Sequence, residues 1–212
     1  NNNLGGALPA DIGFLIGMRH LDLQHNGFTG PIPTEIGRLY NLQNLELNHN
    51  KLTGAIPDMA LSKNLTVIHL ENNELHESFP FSLALQHSLK EIYIQNNGIK
   101  GTIPGEIESI RGLEIMRMGN NNLSGKLPHG MFGKMSHLRE VALDNNKLTG
   151  YLPTDTHAMV QLEILALNGN NLEGIIPTVW GNVPSLRTLH LKENSISGPI
   201  PTELGKLSSL KD

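Results

Sequence analysis

The chain has 212 residues, of which 38% are hydrophobic, 17% are charged and none is cysteine, and its formal net charge is −4. This weak negative charge, with Lys and Arg scattered along the chain, disfavours a nucleic-acid-binding surface. The lack of cysteine removes disulfides, thiol catalysis and cysteine-ligated zinc. The sequence has no apolar run of the roughly 18 residues that a membrane helix needs and no leader of charged then apolar residues. We expect any membrane contact to be made only through segments outside this sequence.

One pattern recurs from end to end. The stretch Leu186–Pro201, LRTLHLKENSISGPIP, has apolar residues 8, 5 and 3 positions before Asn194, a glycine 4 after it and a proline 7 after it. The same frame fits further asparagines at intervals of 23 to 25 residues: Asn2 (second half only), Asn26, Asn50, Asn73, Asn97, Asn121, Asn146 and Asn170. Such a period is typical of a leucine-rich-repeat solenoid. We expect one solenoid over residues 1–212, with a half repeat at 1–17, repeats that begin near 18, 42, 65, 89, 113, 138, 162 and 186, and a truncation at 210–212.

Each repeat starts with a segment that predicts a short strand. Leu45 and Leu47 alternate with outward residues at a period of two, and stacked strands of this kind form a parallel sheet on the concave side. The asparagine follows at the turn, where its amide can satisfy backbone groups of adjacent repeats. A buried polar group without a partner costs about 1–3 kcal/mol, so a ladder of equivalent asparagines is expected. Its members are Asn26, Asn50, Asn73, Asn97, Asn121, Asn146, Asn170 and Asn194.

The second half of each repeat predicts a turn and then an arc on the convex side. Glycine opens backbone angles that other residues avoid, and the proline that follows prevents a continued ladder or helix. In the arc Thr34–Leu42, apolar residues at 36, 39 and 42 have a threefold spacing that suits a 3₁₀ turn.

Some repeats depart from this frame. Glu77 replaces the glycine, the arc near 58–64 is one residue short, and the arc PHGMFGKMSHL is one residue long. We interpret these as drift on the tolerant convex side, with a local kink near Glu71–Glu77 as the alternative. Apolar residues at both ends are expected to face water, and the chain is interpreted as an internal piece of a longer array. These residues are Leu4, Leu8, Ile12, Leu204, Leu207 and Leu210.

The repeat LxxLxLxxNxLxGxIP resembles the plant-type leucine-rich repeats of receptor-like kinases, receptor-like proteins and polygalacturonase inhibitors, and similar arrays occur in algae and diatoms. The resemblance covers the whole chain. It implies an α/β-type solenoid in which segments such as Leu172–Pro177 form a lateral sheet that twists the array into a right-handed superhelix. It also implies an extracellular or cell-surface recognition domain of a membrane-tethered parent, with secretion as the alternative. The implied partner is a protein, peptide or polysaccharide ligand, with a possible co-receptor.

The outward strand positions, 6, 4 and 2 residues before each asparagine, are where a ligand would bind. Their first half, with two histidines next to the ladder, forms a polar patch able to hold a peptide or a sugar: His20, Asp22, His25, Glu46, His49, His69, Glu71, Tyr93 and Arg117. The alternative is a face that only contacts solvent. Further along, a smaller apolar strip contains Ile115, Ala142, Ile164 and Ala166.

Metal binding and catalysis are less favoured than ligand recognition. His25 and His49, beside Asp22 and Glu46, could bind a divalent metal or respond to pH, but no recognised metal motif supports them, and we expect no metal and no cofactor. An open sheet lacks the water-excluding pocket that paired carboxylates need for acid–base catalysis. We predict no enzyme activity in this segment, while a kinase elsewhere in the full-length protein stays open.

Two sequons, at Asn64 and Asn122, predict N-glycosylation if the protein is secreted. The leading hypothesis is a non-enzymatic recognition module whose concave face binds a protein, peptide or glycan. The alternatives are a structural, scaffold or adhesion protein without a small ligand, and an inhibitor of a secreted hydrolase.

Overall fold

The chain forms a solenoid in the computed structural model, which describes residues 2–212. Two kinds of short strand alternate along it, in this order: β1 (Gly5–Ala7), β2 (His20–Asp22), β3 (Gly27–Pro31), β4 (Asn44–Glu46), β5 (Lys51–Gly54), β6 (Val67–His69), β7 (Glu74–Leu75), β8 (Glu91–Tyr93), β9 (Lys100–Thr102), β10 (Ile115–Arg117), β11 (Asn122–Lys126), β12 (Glu140–Ala142), β13 (Lys147–Tyr151), β14 (Ile164–Ala166), β15 (Asn171–Gly174), β16 (Thr188–His190) and β17 (Ser195–Ile196).

Short helices lie on the convex side. The 3₁₀ helices are Ala10–Phe14, Thr34–Arg38, Phe81–Leu85, Gly105–Ser109, Thr178–Asn182 and Thr202–Lys206, and a single α-helical turn, α1, is Met131–Lys134. Ile36, Leu39 and Leu42 are fully buried, so the threefold spacing does place apolar side chains inward. The arc with one extra residue forms α1 in place of a 3₁₀ helix, because the extra residue allows a wider turn. The arcs at 58–64 and 154–161 contain turns without a helix.

The even-numbered strands form one parallel sheet of eight strands, from β2 to β16 without interruption. In most of these strands the middle residue is buried and its neighbours are partly exposed, as in Asn44–Glu46, where Leu45 has no exposed surface. In the last strand, β16, Leu189 is only partly buried. The outer side chains of this sheet form what we call the concave face. The prediction of a leucine-rich-repeat solenoid with a parallel sheet and 3₁₀ turns is confirmed.

The core is one line of apolar side chains that runs the length of the array. Met116 and Met118 are fully buried in it. At the ends, the expectation of water-facing residues is wrong for Leu8 and Leu207, which are only 6% exposed because each packs against the adjacent repeat. Leu4 is 52% exposed, whereas three further end residues are partly buried against the core: Ile12, Leu204 and Leu210.

The odd-numbered strands form two lateral sheets, β1 to β7 and β9 to β17. The break falls at the repeat with Glu77. Glycines at the equivalent position have a positive φ, such as 75° at Gly54 and 87° at Gly101, whereas Glu77 does not. Without that turn β7 and β9 do not pair, and one isolated bridge joins Ser78 to Lys100. The departure therefore interrupts the lateral sheet, while the concave sheet continues from β6 to β8.

A glycine on the convex side sets how closely two repeats approach. Gly37 and Gly205 occupy the same position in the segments TEIGR and TELGK. A Cβ at Gly37 would overlap the backbone carbonyl oxygen of Asp58, whereas a Cβ at Gly205 would meet nothing within 4 Å. We expect Gly37→Ala to destabilise the chain by about 1–3 kcal/mol through overpacking, and Gly205→Ala to have almost no effect. Urea unfolding of both variants checks this, and equal shifts of the midpoint would contradict it.

Candidate functional site

Strand register brings the predicted polar patch together. Asp22 pairs with Glu46, Glu46 with His69, His69 with Tyr93, and Tyr93 with Arg117. These five side chains form a continuous row across β2 to β10. His20 lies at the start of the neighbouring row, beside Asn44.

The first part of the row is a hydrogen-bonded acidic cluster. The side-chain amide of Gln24 donates to Asp22 Oδ2 and to Glu46 Oε2, both at 3.3 Å. Asn44 Nδ2 lies 3.5 Å from Glu46 Oε1. Gln24 therefore bridges the two carboxylates that the sequence places side by side. This arrangement fixes them as hydrogen-bond acceptors and does not resemble an acid–base pair.

His25 and His49 stack on each other, with ring centroids 4.1 Å apart and ring planes 12° from parallel. The nitrogen lone pairs of parallel rings lie in separate planes, so they do not converge on one ion. Among residues 2–212, no group of three His, Cys, Asp or Glu side chains is arranged to hold a metal. The geometry therefore does not support the metal hypothesis for this pair.

The second part of the row is an aromatic and cationic cluster. The rings of His69 and Tyr93 meet edge to face at 4.4 Å, and the guanidinium of Arg117 lies 5.1 Å from the centre of the Tyr93 ring. Arg117 also donates from Nε and Nη2 to Glu140 Oε1 and Oε2, at 2.7 and 2.8 Å. His69 Nε2 is 3.5 Å from Glu91 Oε2. These contacts connect side chains of four neighbouring strands, β6, β8, β10 and β12.

These contacts set the charge states of the cluster. Burial raises the pKa of the Tyr93 hydroxyl above its ordinary value, against the opposing effect of the Arg117 guanidinium. Tyr93 is therefore neutral at physiological pH and able to donate a hydrogen bond. The hydrogen bonds to Glu140 raise the pKa of Arg117, so this side chain stays charged. Sequence reasoning did not include Glu140 in the patch, because its pairing with Arg117 runs diagonally between strands.

The outward residues two positions before each ladder asparagine form another line across the strands, parallel to this row, which we call the third column. Three of its residues have buried side-chain oxygens without a hydrogen-bond partner within residues 2–212. They are Asn48 Oδ1, Glu71 Oε2 and Gln95 Oε1, each two residues before a ladder asparagine in consecutive repeats. Native structures leave few buried polar atoms unpaired. In the described part of the chain, the concave face has one further buried polar atom without a hydrogen-bond partner, His69 Nε2 on β6, so three of these four atoms lie in the third column, in consecutive repeats.

The ladder asparagines connect successive repeats. Asn97, for example, accepts a hydrogen bond from the backbone N–H of Leu75 at 3.0 Å and donates to the carbonyl oxygens of Leu70 and Ile94 at 3.0 and 3.1 Å. The same pattern of one accepted and several donated bonds recurs along the array, as at Asn50, Asn73, Asn121, Asn146, Asn170 and Asn194. Asn26 begins it, with a bond from the N–H of Leu4.

A second ladder was not anticipated from the sequence. Asn72, Asn96, Asn120 and Asn145 each precede a ladder asparagine, and their side-chain amides bond to one another at 2.8–2.9 Å. We call this the outer amide ladder. All four have φ between 51° and 57°, a left-handed conformation that asparagine tolerates better than most residues. The repeated Asn-Asn pairs in the sequence were the signal that could have predicted it.

The remaining predicted residues lie on different surfaces. Asn64 is exposed, and its Nδ2 donates to the backbone carbonyl of Tyr40 at 3.0 Å, while Asn122 is exposed at the start of β11. Glycosylation at these positions stays a prediction. In the apolar strip, Ala166 is only 9% exposed, and the others are partly exposed: Ile115, Ala142 and Ile164.

Comparison with known proteins decides the family. Leucine-rich-repeat family models match residues 17–39, 41–60, 88–110, 111–172 and 160–212. The chain belongs to the leucine-rich repeat family. Among curated protein sequences, no relative matches it.

Solved structures of other leucine-rich repeat proteins superpose closely. The plant peptide hormone receptor RGFR1, in complex with RGF2, is 33% identical with a TM-score of 0.96 over 100% of this chain and 34% of that chain. The Arabidopsis receptor kinase HAESA, in complex with the peptide hormone IDA and the co-receptor SERK1, is 30% identical with a TM-score of 0.81 over 98% of this chain and 39% of that chain. A plant ice-binding protein is 27% identical with a TM-score of 0.79 over 98% and 67%.

These likenesses confirm the resemblance to plant-type leucine-rich repeats. The chain spans about a third of the length of the receptor structures that it matches. None of the helices within residues 2–212 has the length and apolar character to cross a membrane.

Proposed function

We propose that this chain is the ligand-binding part of a receptor-like leucine-rich repeat ectodomain, and that it binds an extended peptide on its concave face without catalysing a reaction. The observation that carries the proposal is the preformed row of His69, Tyr93 and Arg117 on that face. The likeness to receptor ectodomains solved with peptide hormones supports it. The proposed ligand-binding residues are His20, Asp22, His25, Glu46, His49, His69, Glu71, Tyr93 and Arg117.

The physical character of the row suits a binding hot spot. Tyrosine and arginine are enriched among residues that dominate interface energies. Here the Tyr93 ring is fixed between His69 and Arg117, and Arg117 is fixed by Glu140. Because these side chains are already ordered, they lose little conformational freedom on binding. An extended peptide lying across the strands runs along the row and can contact several of its side chains at once.

We also propose a location for the protein. As in the receptors that it resembles, the chain works outside the cell or at its surface, with residues 1–212 as one solenoid segment. Attachment to a membrane, and contact with a co-receptor, depend on parts outside this sequence. N-glycans on Asn64 and Asn122 would leave the concave face free, because neither residue belongs to its strands.

A peptide-display screen of the 212-residue chain tests the function. We expect selected peptides to lose affinity by about tenfold or more on Tyr93→Ala, the scale of a hot-spot residue. Tyr40→Ala is the matched control, because Tyr40 is 47% exposed and lies outside the concave strands. Equal losses for the two variants, or no peptide that binds the folded chain, would contradict the proposal.

A second candidate function is favoured by the outer amide ladder. Its exposed, evenly stacked amides form a regular surface, and a plant ice-binding protein shares this fold. Such a protein would bind an ordered surface and would need no pocket. Inhibition of ice recrystallisation by the chain, lost when Asn120 is replaced by Asp, would favour this reading over peptide recognition.

A further inference from the structure

The concave face carries the excess negative charge of the whole chain. Its three outward columns contain two permanent cations, Arg117 and Lys192, and six carboxylates: Asp22, Glu46, Glu71, Glu91, Glu140 and Asp144. Their net charge of −4 equals that of all 212 residues, so the rest of the molecule is balanced. Both cations are also engaged, Arg117 by Glu140 and Lys192 by Glu193. The face therefore attracts positively charged ligands.

Among the six carboxylates of this face, Glu71 has neither a hydrogen-bond nor an ion-pair partner in the part of the chain that the structure describes. It is 9% exposed, and its Oε2 is buried with no hydrogen bond. Within residues 2–212, no Lys or Arg forms an ion pair with it, since the guanidinium of Arg117 is occupied by Glu140. A buried carboxylate in this condition costs folding free energy, which is why such residues are usually paired. A buried carboxylate that is present although it lowers the folding stability is a candidate for a binding role.

The neighbours of Glu71 in this column also have acceptor atoms without partners. Asn48 is 4% exposed, and its Oδ1 and the Oε1 of Gln95 are buried without partners on either side of Glu71 in the same column. The next position in the column is Gly119, where the Asp144 carboxylate leans in, so that a Cβ on the glycine would come within 2.5 Å of Asp144 Oδ1. The column thus presents a run of buried side-chain oxygens that a donor with several N–H groups can satisfy.

We propose that this column, Asn48, Glu71 and Gln95, binds a Lys or Arg side chain of a basic peptide, with its cationic group paired to Glu71. The inference rests on the proposed function and specifies its ligand class. A guanidinium or ammonium group is all donor and no acceptor, so it complements these oxygens as a neutral or acidic side chain does not. Small side-chain movements that open Oε2 accompany binding, because this atom is covered in the free protein.

The test uses two libraries of short peptides, identical except that a central Arg in one is citrulline, its neutral counterpart, in the other. We expect the 212-residue chain to bind the Arg library about tenfold or more tightly than the citrulline library. Glu71→Gln keeps the shape of the side chain and removes its charge, and should bring that ratio close to one. Glu173→Gln, on the exposed lateral strand β15, should leave the ratio unchanged.

Thermal unfolding supplies a readout that needs no ligand. If Glu71 serves binding and not stability, Glu71→Gln should keep or raise the melting temperature of the free chain, because it removes an unpaired buried charge. A fall in melting temperature, or an equal loss of affinity for both libraries, would show a structural role and overturn the inference. Equal binding of both libraries by the unmodified chain would overturn it while leaving peptide recognition intact. Binding of neither library would overturn both proposals.

Discussion

Leu143→Ala is expected to lower the free energy of unfolding by about 2–5 kcal/mol. Leu143 has no exposed surface, and its side chain belongs to the continuous core between repeats. Its backbone N–H donates to the carbonyl of Ala166 in the next repeat at 2.8 Å, which ties the residue to that repeat. Truncation leaves a cavity that the surrounding strands cannot close without breaking this register. Urea unfolding followed by circular dichroism measures the change.

Leu61→Ala is the matched control for that experiment. It removes the same atoms from a side chain that is 62% exposed in a convex arc. We expect it to change the unfolding free energy by less than about 0.5 kcal/mol, as exposed substitutions usually do. Similar losses for the two variants would mean that the strand is assigned to the wrong face.

Asn97→Ala should destabilise the chain by about 2–4 kcal/mol, because it leaves several buried backbone groups unpaired at once. The amide oxygen of Asn97 is the acceptor for Leu75 N–H, and its amide nitrogen bonds to the carbonyls of Leu70 and Ile94. Alanine can replace none of these bonds. In a solenoid each repeat contacts only its neighbours, so a fault in mid-array also weakens the coupling between the two halves.

Gln95→Ala is the control for the ladder, two residues away in the same repeat. The Gln95 Oε1 has no hydrogen-bond partner, so its removal costs the fold almost nothing. We expect a shift within about 0.5 kcal/mol, with the melting temperatures of both variants measured together. Equal falls in melting temperature for the two substitutions would contradict a stabilising role of the asparagine ladder.

How well a feature could be predicted from the sequence depends on whether it is set within one repeat or by contacts between repeats. The spacing of Leu42, Leu45 and Leu47 around Asn50 indicated strand, turn and ladder, because those features depend on residues within one repeat. The interruption of the lateral sheet at Glu77 was visible as a missing glycine, but its consequence depends on whether β7 and β9 pair. The burial of Leu8 and Leu207 was misjudged because each end residue packs against the repeat beside it.

The same distinction applies to the candidate site, where the sequence could predict some features and not others. Stacked strands of known period place His69, Tyr93 and Arg117 in one row, so the sequence could identify the row. It could not show that Gln24 joins Asp22 to Glu46, or that Glu140 holds Arg117. Those contacts depend on side-chain conformations and on diagonal distances between strands. The outer amide ladder depends in addition on left-handed backbone angles. The Asn-Asn pairs are compatible with these angles but do not by themselves predict them.

The sequence by itself determined the repeat, its period and the family, and also the direction in which each strand residue points. It could do so because a solenoid is built from short local units, and the same residue pattern recurs in each of them. Only the tertiary structure decided which charges on the concave face are paired. Arg117 has Glu140, whereas Glu71, with the same formal charge as Glu140, has none. The physical reason is that a salt bridge needs atoms within a few ångströms across neighbouring repeats, and column position alone does not fix that distance.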